Sequence, residues 1–328
     1  MAKRTNAANR QAPLRRQVGR RPQLSSPYSR SRRSYTSSSR SSRRPPRKRR
    51  RLKRRLIFLG IVVAFIAWLF LWGPFATKKS TGSSSMVSTG ISPTILYQSP
   101  YSWDNLVTGA NGSLSYEVDG QTLSRFGIDV SEHQGSIDWS KVSAAGVQFA
   151  YIRVGYRTTD QGTISSDDYA TQNLSGATNA GLMVGVYFYS QAINEEEAQE
   201  EADFVLKAID GYDLSYPIVF DFEPGGTGSD RISTLDSTER TAIAVAFCEE
   251  IEKSGLAAMV YGNGNTLSSY DLEQLASRGF WYASYESTPS SNLCFALWQY
   301  SNTGSVDGID GDVDLDIDLT PALNAASD

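Results

Sequence analysis

Asp221 and Glu223 are spaced for acid–base chemistry. They close an apolar run, Tyr216-Pro217-Ile218-Val219-Phe220, that reads as a buried strand. Successive strand side chains point to opposite faces, so Asp221 and Glu223 share one face and Phe220 and Phe222 the other. Two residues along a strand span roughly 6.6 Å, which brings the two carboxyls within electrostatic reach. Such a pair suits glycoside hydrolysis, where one acid keeps its proton to protonate a leaving oxygen and the other stays charged. Taken alone, the pair also fits a strand end capped by solvated acids.

The elements that must position these acids follow from the hydrophobic pattern. From Arg125 onward, strand candidates at 126–131, 148–154, 183–190, 216–223, 257–262, 280–285, 295–300 and 313–317 alternate with helical segments at 138–145, 167–180, 194–209, 236–254 and 268–277. Asn194 is a good N-cap, and Glu195, Glu196 and Glu197 complement the dipole of the helix that follows. Strands alternating with helices imply a parallel sheet, and eight strands in about 200 residues imply an α/β fold closed into an irregular (β/α) barrel. The last three strands lie too close together for full helices between them.

Barrel enzymes place their chemistry at the C-terminal ends of the strands. Three acidic strand ends then converge: Asp129 in the first strand, Asp221 with Glu223 in the fourth, and Asp314 in the last. First and last strands are neighbours in a closed barrel, so Asp129 and Asp314 belong together. Four carboxylates with few bases at one mouth cost folding energy and point to a site where at least one pKa is raised. Tyr187, Tyr189, Tyr261 and Trp281, near strand ends, either stack on sugar rings or fill the core. His133 is the one histidine and reads as structural. Without a second histidine there is no HExxH zinc site. Asp310-x-Asp312-x-Asp314 opens like a calcium loop, but Leu315 stands at its sixth position and Pro321 at its twelfth, where glycine and glutamate are needed. Neither a metal nor a cofactor is expected.

The run Phe126-Gly-Ile-Asp-Val-Ser-Glu-His-Gln-Gly-Ser-Ile-Asp-Trp139 resembles the opening of glycoside hydrolase family 25, the Chalaropsis-type lysozymes. Phe149-Ala-Tyr-Ile-Arg153, Gly185-Val-Tyr-Phe-Tyr189, Asp221-Phe-Glu223, Trp281-Tyr-Ala-Ser-Tyr285, Trp298-Gln-Tyr-Ser301 and Val306-Asp-Gly-Ile-Asp-Gly-Asp-Val-Asp-Leu315 follow in the same order. The resemblance spans about residues 125–320. It implies an irregular β/α barrel that cleaves the β-1,4 bond between N-acetylmuramic acid and N-acetylglucosamine in peptidoglycan. It casts Glu223 as general acid/base and Asp221 as the group that orients or stabilises the substrate's 2-acetamido group. Asp129 and Asp314 would shape the charge of the site and position sugar or water. Many family members carry histidine where this chain has Phe188. A module of the same fold that binds glycan without cutting it is the alternative.

The net charge of −3 conceals a divided chain. Residues 1–55 hold 21 of the 32 Lys and Arg and no acid, leaving 11 basic residues against all 35 acidic ones in the remainder. Residues 56–72 are uninterruptedly apolar. Continued to Ala76 as a helix, the run spans about 31 Å, enough for a bilayer core. The Arg cluster before it, against Lys78 and Lys79 after it, predicts a single-pass signal anchor at 56–76 in a bacterial cell membrane, with residues 1–55 cytoplasmic and the rest outside. The basic tail, rich in Ser, Arg and Pro, is expected to be disordered. It serves as a topology determinant or contacts anionic lipid or nucleic acid. Residues 77–100 read as a flexible spacer, 101–124 as a small β arm with an Asp119-Gly120 hairpin turn, and 125–322 as the catalytic barrel. Two cysteines, Cys248 and Cys294, make no disulfide framework and read as buried thiols, although one pair is open to them.

Overall fold

The computed structural model describes residues 86–225 and 230–326. The expected basic tail at 1–55 and membrane span at 56–76 lie outside the described residues. Among the described residues no helix is long and apolar enough to cross a membrane.

Among the described residues the chain forms twelve strands. The arm holds β1 (Leu106–Thr108), β2 (Leu114–Val118) and β3 (Gln121–Thr122), an antiparallel set. Its tight turn has positive φ at both Asp119 and Gly120, the combination a two-residue hairpin needs. The barrel strands are β4 (Arg125–Val130), β5 (Phe149–Arg157), β7 (Met183–Tyr189), β8 (Ile218–Asp221), β9 (Ala258–Asn263), β10 (Phe280–Ala283), β11 (Leu297–Gly304) and β12 (Val313–Asp318). β6 (Ile164–Ser166) hangs on the end of β5. The order β4-β12-β11-β10-β9-β8-β7-β5 closes through a β4–β5 pairing, so the predicted eight-stranded barrel is present.

Its irregularity lies in one strand. β4, β5 and β7 to β11 run parallel, whereas β12 is antiparallel to both β11 and β4. The reason is length: the residues between Gly304 and Val313 are too few for the crossover that a parallel connection requires, so the chain turns back as a hairpin. Helices α1 (Trp139–Ala144), α2 (Ala170–Asn179), α3 (Glu195–Ala208) and α4 (Ser237–Lys253) wrap the barrel. Asn194 and Asp236 cap α3 and α4 through Glu197 N–H and Glu239 N–H. The helix expected at 268–277 is instead two 3-10 turns, Leu272–Gln274 and Ala276–Arg278. The Asp271 carboxylate holds the first turn, and Gly279 at φ 80° ends the second.

Two cores result. The outer one joins the aliphatic strand faces to the helices. The inner one, inside the barrel, is aromatic: Phe149, Tyr151, Tyr216, Tyr261 and Trp281 with Val219, Met259 and Leu297. Gly127 and Gly185 make room for it, because a Cβ there would meet the Phe149 and Tyr151 rings at 2.3 and 2.4 Å. The arm docks by aromatic contacts of Tyr101 and Trp103 with Phe295. The spacer expected at 77–100 is described from residue 86, and that part is bound to the barrel. Val87 N–H donates to the Ser215 carbonyl and Ile91 N–H to that of Ala276, while Ile91 and Leu96 are buried. Cys248 and Cys294 are buried and unpaired.

Candidate active site

β12 carries three of the barrel's acids. Val313, Leu315 and Ile317 are buried in the outer core, so the alternation of a strand turns Asp314, Asp316 and Asp318 inward. Asp318, at the base, is neutralised. It pairs with Arg125 at 2.5 Å and accepts from the Tyr216 hydroxyl at 2.7 Å and from Thr320 N–H at 2.8 Å. Asp316 lies one step higher, fully buried, and accepts from Trp281 Nε1 at 2.9 Å. Asp314 is at the mouth. Because β12 runs antiparallel to β4, the start of β12 meets the end of β4, and Asp314 pairs in register with Asp129.

Asp129, Asp221 and Asp314 line one cavity of about 150 Å³ together with Tyr187, Tyr261, Trp281, Tyr285 and Gln299. Gln299 Nε2 donates to Asp129 Oδ2 at 2.7 Å, and its Oε1 accepts from the Tyr261 and Tyr285 hydroxyls at 2.9 Å each. Trp281 is 1% exposed. Its ring stacks on Tyr151 and meets Tyr261 edge-on, so it forms the cavity floor.

The strand expected at 216–223 ends at Asp221, and Glu223 stands two residues past the ladder. The intervening Phe222 turns outward and stacks on Phe220, which packs on Phe247 of α4. The segment is fixed by its backbone. Ser190 N–H donates to the Asp221 carbonyl at 2.7 Å, and Gln191 Nε2 and the Tyr189 hydroxyl donate to the Glu223 carbonyl at 2.7 and 3.0 Å. Glu223 Oε1 accepts from Asn263 Nδ2 at 2.8 Å and from the Thr266 hydroxyl at 3.4 Å. Tyr189 therefore supports the Glu223 loop and is not among the residues that line the cavity. Phe188 lies on the outer face of β7 against Phe204 of α3, so the departure from histidine there falls outside the cavity. His133 is exposed in a turn after β4. Among the described residues no cluster is arranged to hold a metal ion.

The electrostatics favour protonated acids. Burial first, then the charge of Glu223, pushes Asp221 well above the usual carboxylate range. Burial raises Glu223, against the hydrogen bonds from Thr266 and Asn263 that favour its charged form. Burial lifts Asp314 to about 6. Asp129 is raised well above its ordinary value by burial, then by Asp314 and Asp316. The opposing cation is Arg153, which partly offsets the rise at Asp221. It is held by Asp167 at 2.9 Å and Glu132 at 3.1 Å. Acids of this kind, at a mouth flanked by aromatic rings, can hold and deliver protons near neutral pH.

The sequence model of glycosyl hydrolases family 25 matches residues 128–309. The chain belongs to that family. The match takes in Asp129, Asp221 and Glu223; Asp314 falls beyond it and joins the site through its register with Asp129. Lysozyme M1 of Streptomyces globisporus is 32% identical over 57% of this chain and 65% of its own length. The autolytic lysozyme of Clostridium acetobutylicum is 31% identical over 58% of this chain and 54% of its own. The chain thus spans less than two thirds of either relative. Among solved structures, the modular autolysin LytC of Streptococcus pneumoniae superposes with a TM-score of 0.54 at 24% identity, over 65% of this chain and 52% of that one. A family 25 glycosyl hydrolase from Bacillus anthracis does so with 0.52 at 22% identity, over 62% and 92%. Both are likenesses of fold.

The sequence pointed to six of the eight cavity residues. Gln299 and Tyr285 were missed, as were Asn263, which holds the Glu223 carboxylate, and Asp316 beneath the cavity. For Asp316 a signal exists: Asp at 312, 314, 316 and 318 alternates with Val, Leu, Ile and Leu, which puts all four acids on one face.

Proposed function

We propose that this chain is a membrane-anchored cell-wall muramidase that hydrolyses the β-1,4 bond between N-acetylmuramic acid and N-acetylglucosamine in peptidoglycan. The observation that carries the reading is the buried Asp221 in an acid-lined cavity, followed two residues on by the raised, two-donor carboxylate of Glu223, in a family 25 barrel. Glu223 gives its proton to the glycosidic oxygen as the C–O bond breaks. The carbonyl oxygen of the substrate's own 2-acetamido group closes on the anomeric carbon, and Asp221 stabilises the positive charge that develops on that group. Water then opens the ring, and Glu223 takes back a proton. Asp129 and Asp314 set the charge of the cavity and orient sugar or water; Tyr187 and Tyr261 present ring surface to the glycan. The apolar run at 56–76 and the basic cluster before it support an anchor that leaves the barrel outside the cell. The intact Asp221-x-Glu223 pair, with Asp129 and Asp314 also present, favours catalysis over a binding module of the same fold.

Digestion of purified peptidoglycan tests the reading. Soluble fragments should carry new reducing ends on N-acetylmuramic acid. Anhydro-muramic ends or reducing N-acetylglucosamine would reject it. Protease added to wall-permeable cells should digest the barrel and spare the basic tail; a protected barrel would reject the anchor.

A further inference from the structure

Gln191 touches both ends of the connection that carries Glu223. It stands two residues past β7 and is 0% exposed. Its Nε2 donates to the Glu223 carbonyl at 2.7 Å and to the Tyr189 hydroxyl at 3.2 Å, and that hydroxyl donates to the same carbonyl at 3.0 Å. A backbone carbonyl only accepts, so the amide nitrogen must face Glu223. The backbone carbonyl of Gln191 accepts from Arg231 Nη1 at 3.0 Å. Arg231 also forks onto Glu197 of α3, with Nη1 2.9 Å from Oε2 and Nη2 2.8 Å from Oε1. Glu223 and Arg231 lie near the start and near the end of the connection from β8 to α4, and one buried residue binds both. Ser190 repeats the pattern beside it. Its N–H donates to the Asp221 carbonyl at 2.7 Å and its hydroxyl to Glu201 Oε2 at 2.5 Å. Glu197 and Glu201 are one turn apart on α3 and share a face.

β8 ends at Asp221, so side-chain donors position the Glu223 backbone where a ladder would otherwise do so. The carboxyl of Glu223 in turn reaches Asn263 Nδ2 at 2.8 Å. We propose that Gln191 is a positioning residue for Glu223: it clasps the β8–α4 connection at Glu223 and at Arg231, and so keeps the Glu223 carboxyl on Asn263 and correctly spaced from Asp221. α3 is the body against which the clasp holds, through Glu197 and Arg231. A displacement of about 1 Å at a reacting group can cost a hundredfold in rate. A loosened clasp also draws the carboxyl away from Asn263, a donor that favours its ionised form, so the Glu223 pKa should rise. The titratable groups that face Glu223 are Asp221 on β8, Tyr189 on β7, Tyr261 on β9, Tyr270 after β9 and Tyr285 after β10. The variants below alter none of them.

Gln191→Met keeps the length and bulk of the side chain and removes the donor. The proposal rests on the muramidase reading for its kinetic arm, and its first readout needs no substrate. Carboxyl-carbon NMR of the full chain, with glutamate labelled, follows the titration of Glu223, whose signal is assigned by its loss in Glu223→Gln. The Glu223 midpoint should rise by roughly one pH unit in Gln191→Met, the size of a weakened hydrogen bond to a charged group. In an Asn263→Ala background the same substitution should add little, because the contact through which it acts is already gone. On peptidoglycan, kcat should fall roughly ten- to a hundredfold with KM little changed, and the alkaline limb should follow the NMR midpoint. A merely structural role predicts lower stability with the midpoint in place. A midpoint that stays put in folded Gln191→Met, or a full-sized further shift in the Asn263→Ala background, would overturn the proposal in an active or an inactive protein. A shifted midpoint in a chain whose wild type leaves peptidoglycan intact would reject the muramidase reading and uphold the clasp. Should Gln191→Met not fold, Gln191→Asn, whose amide falls one methylene short of the Glu223 carbonyl, decides the question by the same titration.

Discussion

Asp314→Asn should make the protein more stable at neutral pH while narrowing its active range. Burial lifts the Asp314 carboxyl to about 6 in the folded state, against roughly 3.9 in an unfolded chain. The folded protein therefore binds more protons than the unfolded one between these values. Stability falls as pH rises through that window, and the loss is complete above the folded pKa. A shift of about two units corresponds to roughly 2–3 kcal/mol. Asp314 sits at the wet mouth and is only partly buried, so roughly 1–2 kcal/mol should survive screening. Asparagine keeps the shape and cannot ionise. Urea denaturation should then give equal stabilities at about pH 4 and a variant more stable by roughly 1–2 kcal/mol at about pH 7.5. The same charge raises Asp129 and Asp316. Its removal should move the alkaline limb of hydrolysis to lower pH. A stability difference that is the same at both pH values, or a variant less stable at the higher one, would refute the reasoning.

Three further outcomes follow from other contacts. Asn263→Ala removes a donor that favours ionised Glu223, so the Glu223 pKa should rise and the alkaline limb of the pH–rate profile should move upward, opposite to the Asp314 variant. Gly185→Ala forces a methyl against the Tyr151 ring at 2.4 Å and should cost roughly 1–3 kcal/mol of stability in urea, with the active-site pH profile unmoved. Arg157→Gln strips the cation from buried Glu201, which it holds at 2.6 Å, and should destabilise by roughly 3–5 kcal/mol at neutral pH. Burial already raises Glu201 to about 7, so the defect in thermal stability should shrink as pH falls and the carboxyl is neutralised.

The barrel was legible because its outer faces are aliphatic and its helices are capped in the ordinary way, as at Asn194 and Asp236. The direction of β12 was not carried by any periodicity; it follows from the short connection after Gly304, which only a hairpin can make. Asp221 was readable as a strand-end acid. Glu223 was placed on the strand, whereas the ladder stops at Asp221 and backbone acceptors for Tyr189 and Gln191 hold the loop instead. Gln299 and Asn263 gave little signal, since an amide within a strand announces a partner only when the opposite strand is known. Asp316 was hidden by the usual expectation that acids face water. Here the pattern is inverted, with aliphatics toward the helices and acids toward an aromatic barrel interior.

Glu223→Gln tests the central claim most directly. Glutamine keeps the contact available to Asn263 and removes the transferable proton. With an unchanged circular dichroism spectrum and urea midpoint, kcat on purified peptidoglycan should fall by about 10²–10⁴-fold or more, as loss of a general acid requires. A folded Glu223→Gln protein that releases muramic acid reducing ends at close to the wild-type rate would contradict the account.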